Sequence, residues 1–271
     1  MKVDLHIHTN ISDSDYSIEE TIRIAKENKL KYIGIVNHDT VKGLKEAIEI
    51  GKKKEVCIIP GIEISAYDFK RNKKVHILGY NFNLKAENIK ALCNPIIERR
   101  NINSIRQINI LRKNNYDISI EEVQDKAKFS TCIYKQHIMA VLMDKGYCSE
   151  IYSNLYCKLF KNGGICSGDI EYVDAFKAVE AIKNDEGKAI LAHPGQLDSY
   201  EIMDELWKRG LDGIELYHED HSAEDLIKIL EYSVNHSVIL TGGSDFHGTY
   251  SENHSCIGNI TVPVNFVSQL L

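Results

Sequence analysis

No run of apolar residues in the 271-residue chain approaches the roughly 18–20 needed to span a bilayer. No apolar segment follows Met1 either, since the chain goes straight into Val3-Asp4-Leu5-His6; a secretory leader is not read there, and a soluble, cytoplasmic protein is expected. The seven cysteines (57, 93, 132, 148, 157, 166 and 256) nowhere form a C-x-x-C pair. Their odd number and scatter argue against a disulfide framework or a thiolate zinc site, and mostly buried thiols are expected. No Gly-x-Ser-x-Gly elbow occurs, and no cysteine stands at a strand end beside a histidine, which removes the usual nucleophilic hydrolases. Excess positive charge is missing too. With 33 Lys+Arg against 39 Asp+Glu the formal net charge is -6, so broad nucleic-acid binding is not expected. A small nucleotide stays compatible with that charge, because a metal cluster supplies positive charge locally.

What is present is an alternation of strand and helix signals. Apolar, β-branched runs at 3–7, 32–36, 56–64, 74–80, 189–192, 213–217 and 238–241 read as seven strands, nearly all divided by helices. Ser17 with Glu20 three residues on is a capping box, and further helices are expected over 41–53, 200–208 and 223–234. From about 83 to 170 the pattern is polar with helical spacing, near 86–113 and 119–145. Strands alternating with helices indicate a mainly parallel sheet. The expected fold is α/β: one barrel from residues 1–84 and 171–271, with a helical insertion at 85–170 forming a lid over the active site.

The polar residues sit on this skeleton in an ordered way. His6 and His8 end the first strand, and Asp13 lies in the loop after it. His38 and Asp39 follow the second strand, and Glu63 ends the third. His76 lies in the fourth, His193 ends the fifth, His218 ends the sixth, and Asp245 and His247 follow the seventh. Nearly every candidate ligand thus falls at a C-terminal strand end, the face on which α/β barrels place their chemistry. The period of two points His6 and His8 to one side of their strand, where both can reach one ion. Glu63 can bridge two ions through its two oxygens. One histidine in a barrel strand is usually a hydrogen-bonded core residue; six converging on one rim are not explained that way. Imidazole with carboxylate and no thiolate suits zinc, manganese or iron in an open site. His221, His236 and His254 lack the placement and are read as bystanders.

Six segments carry a family resemblance: Asp4-Leu5-His6-Ile7-His8-Thr9, Asn37-His38-Asp39-Thr40, Pro60-Gly61-Ile62-Glu63-Ile64-Ser65, Val75-His76-Ile77-Leu78-Gly79-Tyr80, Leu191-Ala192-His193-Pro194-Gly195 and Gly243-Ser244-Asp245-Phe246-His247-Gly248. In this order they resemble the motifs of the PHP (polymerase and histidinol phosphatase) family. The likeness is nearest to its stand-alone members similar to nucleoside 3′,5′-bisphosphate phosphatases, whose helical insertion is echoed in His137-Ile138 and Gly146-Tyr147. The resemblance implies a distorted seven-stranded α/β barrel holding two or three divalent ions (Mn, Fe or Zn). By position, a first ion takes His6, His8, Glu63 and Asp245. A second shares Glu63 and adds His76 and His193, and a third takes Asp13, His38 and His247. Two departures from the family pattern stand out: Asn37 replaces the usual Asp before the histidine, and Lys135-Gln136 replaces Arg-Pro.

The expected activity is hydrolysis of a phosphate monoester, such as that of a nucleoside 3′,5′-bisphosphate, by a metal-bound hydroxide next to Glu63. Glu63, His193, Asp245 and His247 are the expected catalytic residues. Arg99, Arg100, Lys135, His137 and His218 are candidates for contacts to a small phosphorylated substrate. The alternatives are a histidinol-phosphate or cyclic-phosphodiester hydrolase and, in another class, a non-catalytic metal-binding PHP module, against which all nine ligand positions are filled.

Overall fold

The computed structural model describes residues 2–251 and 255–270. Its strands are β1 (Lys2–Ile7), β2 (Tyr32–Ile35), β3 (Cys57–Asp68), β4 (Lys73–Tyr80), β5 (Val173–Asp174), β6 (Lys188–Leu191), β7 (Gly213–Tyr217), β8 (Ile239–Gly242) and β9 (Val262–Pro263). Between them run α1 (Ile18–Glu27), α2 (Leu44–Lys54), α3 (Glu87–Lys113), α4 (Ile120–Lys126), α5 (Lys135–Asp144), α6 (Asn154–Phe160), α7 (Ala175–Asn184), α8 (Pro194–Leu197), α9 (Met203–Trp207) and α10 (Ala223–His236). The sheet order is β8-β7-β6-β4-β3-β2-β1-β9, with β5 beside β3. Past β8 the chain turns onto the end of β1, where His8 N donates to Phe246 O (2.9 Å) and Phe246 N to His6 O (3.3 Å). The sheet is thereby nearly closed into the expected α/β barrel. Gly243 permits that approach, for a Cβ there would lie 2.3 Å from His6 N.

All seven expected strands form, and the capping box of Ser17 and Glu20 starts α1. Three differences bear on the site. β3 runs on to Asp68, so Glu63 lies within it instead of ending it. β4 is antiparallel to both β3 and β6, being joined to β3 by a tight turn and not by a helix. His76 therefore stands in the first half of its strand, and the start of an antiparallel strand shares a rim with the ends of parallel ones. The helix expected over 119–145 is two, α4 and α5, separated by a non-helical stretch at 127–134. The strands β5 and β9, two residues each, are too short for periodicity to reveal.

Side-chain alternation builds two apolar layers and, above one of them, a polar one. Ile58, Ile62 and Ile64 of β3 pack with helix residues such as Ile22, Ala47 and Ile182, whereas Ile59 joins Leu5, Leu78, Tyr80 and Ile190 inside the barrel. Glu63 shares the face of Ile59 by the period of two, as His76 shares that of Leu78 and Tyr80. The barrel is filled with hydrocarbon below and with ligating side chains above.

A third apolar cluster lies outside the barrel. Ile108, Leu111, Val123, Ile138, Leu142 and Leu159 belong to it, each contributing ~2 kcal/mol by burial. Helix α3 joins the two regions, with Ile89, Cys93 and Ile96 in the barrel cluster and Ile108 and Leu111 in the other. Its first residues are capped from a distance: Asp185 accepts from Asn88 N (3.2 Å) and Ile89 N (2.8 Å). The thiols differ from expectation, since Cys93, Cys132 and Cys166 are buried while Cys57, Cys157 and Cys256 are exposed. No helix among the described residues is long and apolar enough to cross a membrane.

Candidate metal centre

The strand ends bring nine of the candidate side chains together around Glu63. Its Oε2 lies 3.3 Å from His6 Nε2, 3.1 Å from His8 Nε2 and 3.3 Å from His38 Nδ1. Its other oxygen, Oε1, lies 2.7 Å from His76 Nδ1 and 2.9 Å from His193 Nε2. One carboxylate thus faces two sets of histidines with two different atoms. Asp245 Oδ1 lies 3.1 Å from His6 Nε2 and 3.3 Å from His8 Nε2. Asp13 Oδ2 approaches His38 (3.7 Å) and His247 (3.5 Å). Three groups have ligand atoms mutually close enough for one ion: His6, His8, Glu63 and Asp245; His38, Glu63 and His76; and His8, Asp13, His38 and His247. The middle group joins His38 to His76, where the family pattern pairs His76 with His193.

The electrostatics of the cluster call for cations. Asp13, Glu63, Glu215 and Asp245 are carboxylates in or against it, and no lysine or arginine pairs with any of them among the described residues. Burial disfavours the Glu63 charge, yet His38, His76 and His6 hold its pKa well below the usual carboxylate range. Asp245 is lowered against burial by His6 and His247, and Asp13 by His247 and His38. The histidines divide. Burial opposes the charge on His247, but Asp13 and Asp245 push it up to about 10; burial wins at His38, down to about 3. Several buried polar atoms face the cluster without a hydrogen-bond partner: both ring nitrogens of His8, His38 Nδ1, His193 Nδ1, Asp13 Oδ1 and Asp245 Oδ1. Buried polar atoms are seldom left so, and converging orphans with excess negative charge fit bound divalent cations.

Residues around the ligands hold this set in place, and two of them, Glu215 and Asp4, are not singled out by the sequence. Glu215, fully buried on β7, takes His6 Nδ1 on Oε1 (3.0 Å) and the backbone N of His193 on Oε2 (2.9 Å). It thereby fixes the His6 tautomer with Nε2 bare towards the cluster. Asp4 accepts from Ser244 N (3.0 Å) and Gly258 N (2.8 Å), tying the Asp245 loop to β1. Asn37 Oδ1 accepts from Thr9 N, Thr9 Oγ1 and Ser12 Oγ. One amide oxygen fills these three contacts, while Asn37 Nδ2, standing where an aspartate would have its second oxygen, is buried without a hydrogen-bond partner. Asp39, at φ +56°, accepts from Ser65 N (2.8 Å) and pairs with Arg100 Nη2 (2.7 Å).

The remaining candidates part company. Above the cluster is a cavity of about 430 Å³ lined by Arg100, Tyr134, Lys135 and Lys161 of the 85–170 segment and by Lys74 of β4, whose Nζ donates to Asp169 Oδ2 (2.5 Å). Arg100 is held by Asp39 and lies against the Tyr134 ring (4.8 Å), and its Nε is buried without a partner. Lys135 stands 3.6 Å from Asp169. Arg99 turns away to the carbonyl of Glu171, and His137 is buried, accepting from Tyr134 N at the start of α5 (3.0 Å). His218 lies beneath Asp245, its Nε2 3.3 Å from Oδ2. A larger cavity, about 730 Å³, lies between α2 and α3 and is lined by none of the histidines. His221 and His236 lie apart from the cluster, the first accepting from Gly195 N (3.2 Å) and the second stacked on Tyr232 (3.9 Å); His254 lies outside the described residues.

Comparison with known proteins gives concordant likenesses. The family model of the PHP domain matches residues 4–193. A phosphoribosyl 1,2-cyclic phosphate 1,2-diphosphodiesterase from Eggerthella lenta is 44% identical over 247 residues, 91% of this chain and 94% of its own length. A 3′,5′-nucleoside bisphosphate phosphatase from Chromobacterium violaceum is 24% identical over 259 residues, 90% of this chain and 87% of the relative. Among solved structures, one from Bifidobacterium adolescentis, assigned to the metal-dependent phosphoesterases, superposes with a TM-score of 0.92 at 24% identity, covering 99% of this chain and 95% of that one; it speaks for the fold.

Proposed function

We propose, for a chain that belongs to the PHP domain family and hydrolyses phosphate esters with divalent metal ions, that the substrate is a small sugar phosphate or nucleotide carrying two phosphoryl groups. The observation that carries this reading is the two-sided cavity: ligating side chains on its barrel floor, and Arg100, Lys135, Lys161 and Lys74 on its walls. A floor that holds one phosphoryl group leaves those cations for a second.

His6, His8, Glu63 and Asp245 would hold one ion, and Glu63, His76 and His193 another. Asp13, His38 and His247 would hold a third. Mn, Fe and Zn all suit such imidazole and carboxylate donors. Divalent ions supply a water acidic enough to attack phosphorus near neutral pH, and share the charge of the phosphoryl oxygens. The chain's own part is positional. Glu63 presents one oxygen to each histidine set, and Glu215 keeps His6 and His193 in register. Arg100, fixed by Asp39 and Ser65, stands in the cavity wall as a cation already held in place. Residues 85–170 are read as a lid, because they have their own apolar cluster and supply the cationic wall; 1–84 and 171–271 make the barrel.

The relative at 44% identity acts, by its name, on a phosphoribosyl 1,2-cyclic phosphate, and the one at 24% on a nucleoside bisphosphate. Both names describe two phosphoryl groups on one sugar unit. The higher identity favours the cyclic phosphodiester, which ranked behind the bisphosphate on sequence alone. Histidinol phosphate, with one phosphate, leaves the cationic wall unused. A manganese-supplemented hydrolysis screen, following both released phosphate and ring opening by phosphorus NMR, tests the reading with a phosphoribosyl 1,2-cyclic phosphate, a nucleoside 3′,5′-bisphosphate, a nucleoside monophosphate and p-nitrophenyl phosphate. The doubly phosphorylated compounds should lead in kcat/KM. Equal or better rates on singly phosphorylated esters would overturn the two-phosphoryl reading and leave the phosphoesterase.

A further inference from the structure

We infer that Gln136 is a positioning residue for the ion assigned to Asp13, His38 and His247, and that through it the lid sets the affinity of that ion. This rests on the metal assignment proposed above. Gln136 stands in the first turn of α5, next to the cavity-lining Lys135. Its Nε2 donates to Asp13 Oδ2 (3.2 Å) and to the hydroxyl of Tyr152 (3.0 Å). An amide nitrogen carries two N–H groups, so both are engaged. Charge fixes the orientation of the amide, because an ionised carboxylate only accepts and would repel the amide oxygen.

Asp13 needs such a tie more than Glu63 does. Glu63 is held within a twelve-residue strand, whereas Asp13 lies in the loop after β1 with no strand to orient it. Gln136 steadies Oδ2, the oxygen that faces His38 (3.7 Å) and His247 (3.5 Å), and thereby also sets the buried Oδ1, 3.7 Å from His8 Nδ1. The tie spans the molecule, from α5 of the lid to a ligand of the barrel. Both neighbours line the cavity, but Lys135 points to Asp169 and Gln136 to the metal ligand Asp13. Coupling of this kind is reciprocal, so an ion that fixes Asp13 also favours the lid position from which Gln136 reaches it.

Calorimetric titration of metal-stripped protein with Mn²⁺ tests this, with wild type, Gln136→Leu and Tyr152→Phe compared and metal-free thermal unfolding recorded for each. The wild type should take up three ions, one more weakly than the others. Gln136→Leu should weaken that ion by about tenfold or more, the range for loss of a side chain that orients a metal ligand, with the two tighter ions and the metal-free Tm unchanged. Tyr152→Phe should weaken the same ion by less. An unchanged weak site in Gln136→Leu overturns the inference and leaves the metal assignment standing. Two ions in the wild type overturn the third-ion assignment and the inference with it. Equal weakening of all three ions, or a matching fall in metal-free Tm, makes Gln136 structural and also overturns it.

Discussion

The floor and the wall of the cavity are built by different means. On the floor, short side chains stand on strands or just past them, buried or half-buried, each within about a hydrogen-bond length of the next. On the wall, long cations reach in from helices, loops and the β4 arm. Strands converge and cannot shift singly, so they suit groups whose spacing must match an ion. Long flexible cations suit a partner that arrives and leaves. Chemistry should therefore fail when the floor is altered, and selectivity when the wall is.

The sharpest break of that contrast is Glu63→Gln. Size is kept while the charge that faces both histidine sets is removed, so turnover on every substrate should fall by at least about a hundredfold, as when a metal-activated nucleophile is lost. Phosphate release and metal content, measured on one preparation, check it. Near-normal turnover with full metal content would remove Glu63 from the centre.

Glu215→Gln asks whether the floor extends one layer down. Glutamine offers one acceptor, so either His6 Nδ1–H or His193 N–H would confront an N–H group in place of an oxygen. Metal affinity should fall by about 10–100-fold, and excess Mn²⁺ should restore much of the rate, which it would not do for Glu63→Gln. If added metal restores neither or both, Glu215 and Glu63 do not differ in kind.

Lys135→Ala moves to the wall. Here KM for a doubly phosphorylated substrate should rise by about tenfold, the loss of about 1.4 kcal/mol of charged hydrogen bonding. The rate on p-nitrophenyl phosphate should barely move. Equal damage to both substrates would make Lys135 part of the floor.

How much of this was legible in the sequence follows the same division. Each ligand announces itself, because histidine and carboxylate after an apolar run are conspicuous and the period of two fixes their face. Even His76 was readable as a ligand, although the antiparallel course of β4 was not: two apolar runs flanking Phe69–Asn72 look alike whichever way the second points. Glu215 was hidden, since one acid within Gly213–Tyr217 carries no mark of being buried inside a barrel. On the wall, helical spacing locates Arg99 and Arg100 on α3 but not which of them turns inward; that depends on Asp39, past the end of β2. The break between α4 and α5 depends likewise on contacts with the barrel, where Thr131 N donates to Ile11 O (2.9 Å).

The smallest expected effect tests whether place, and not residue type, makes the floor. His236 closes α10 at the opposite end of β8 from Asp245, with its ring stacked on Tyr232 (3.9 Å) and edge-on to Trp207 (5.7 Å). Its Nδ1 pairs with the Tyr232 carbonyl (3.1 Å), as a residue four positions away on a helix can. Nothing in that setting draws on the cavity, so His236→Ala should leave metal content and kcat/KM unchanged. Stability should fall slightly. The lost ring contact amounts to ~1 kcal/mol, roughly 2–4 °C in Tm for a domain of this size. His193→Ala, changing the same residue type at a strand end beside Glu63, should lose metal or rate severely in the parallel assay. If the two alanine variants behaved alike, convergence at the rim would not distinguish a ligand from a bystander, and the floor itself would have to be redrawn.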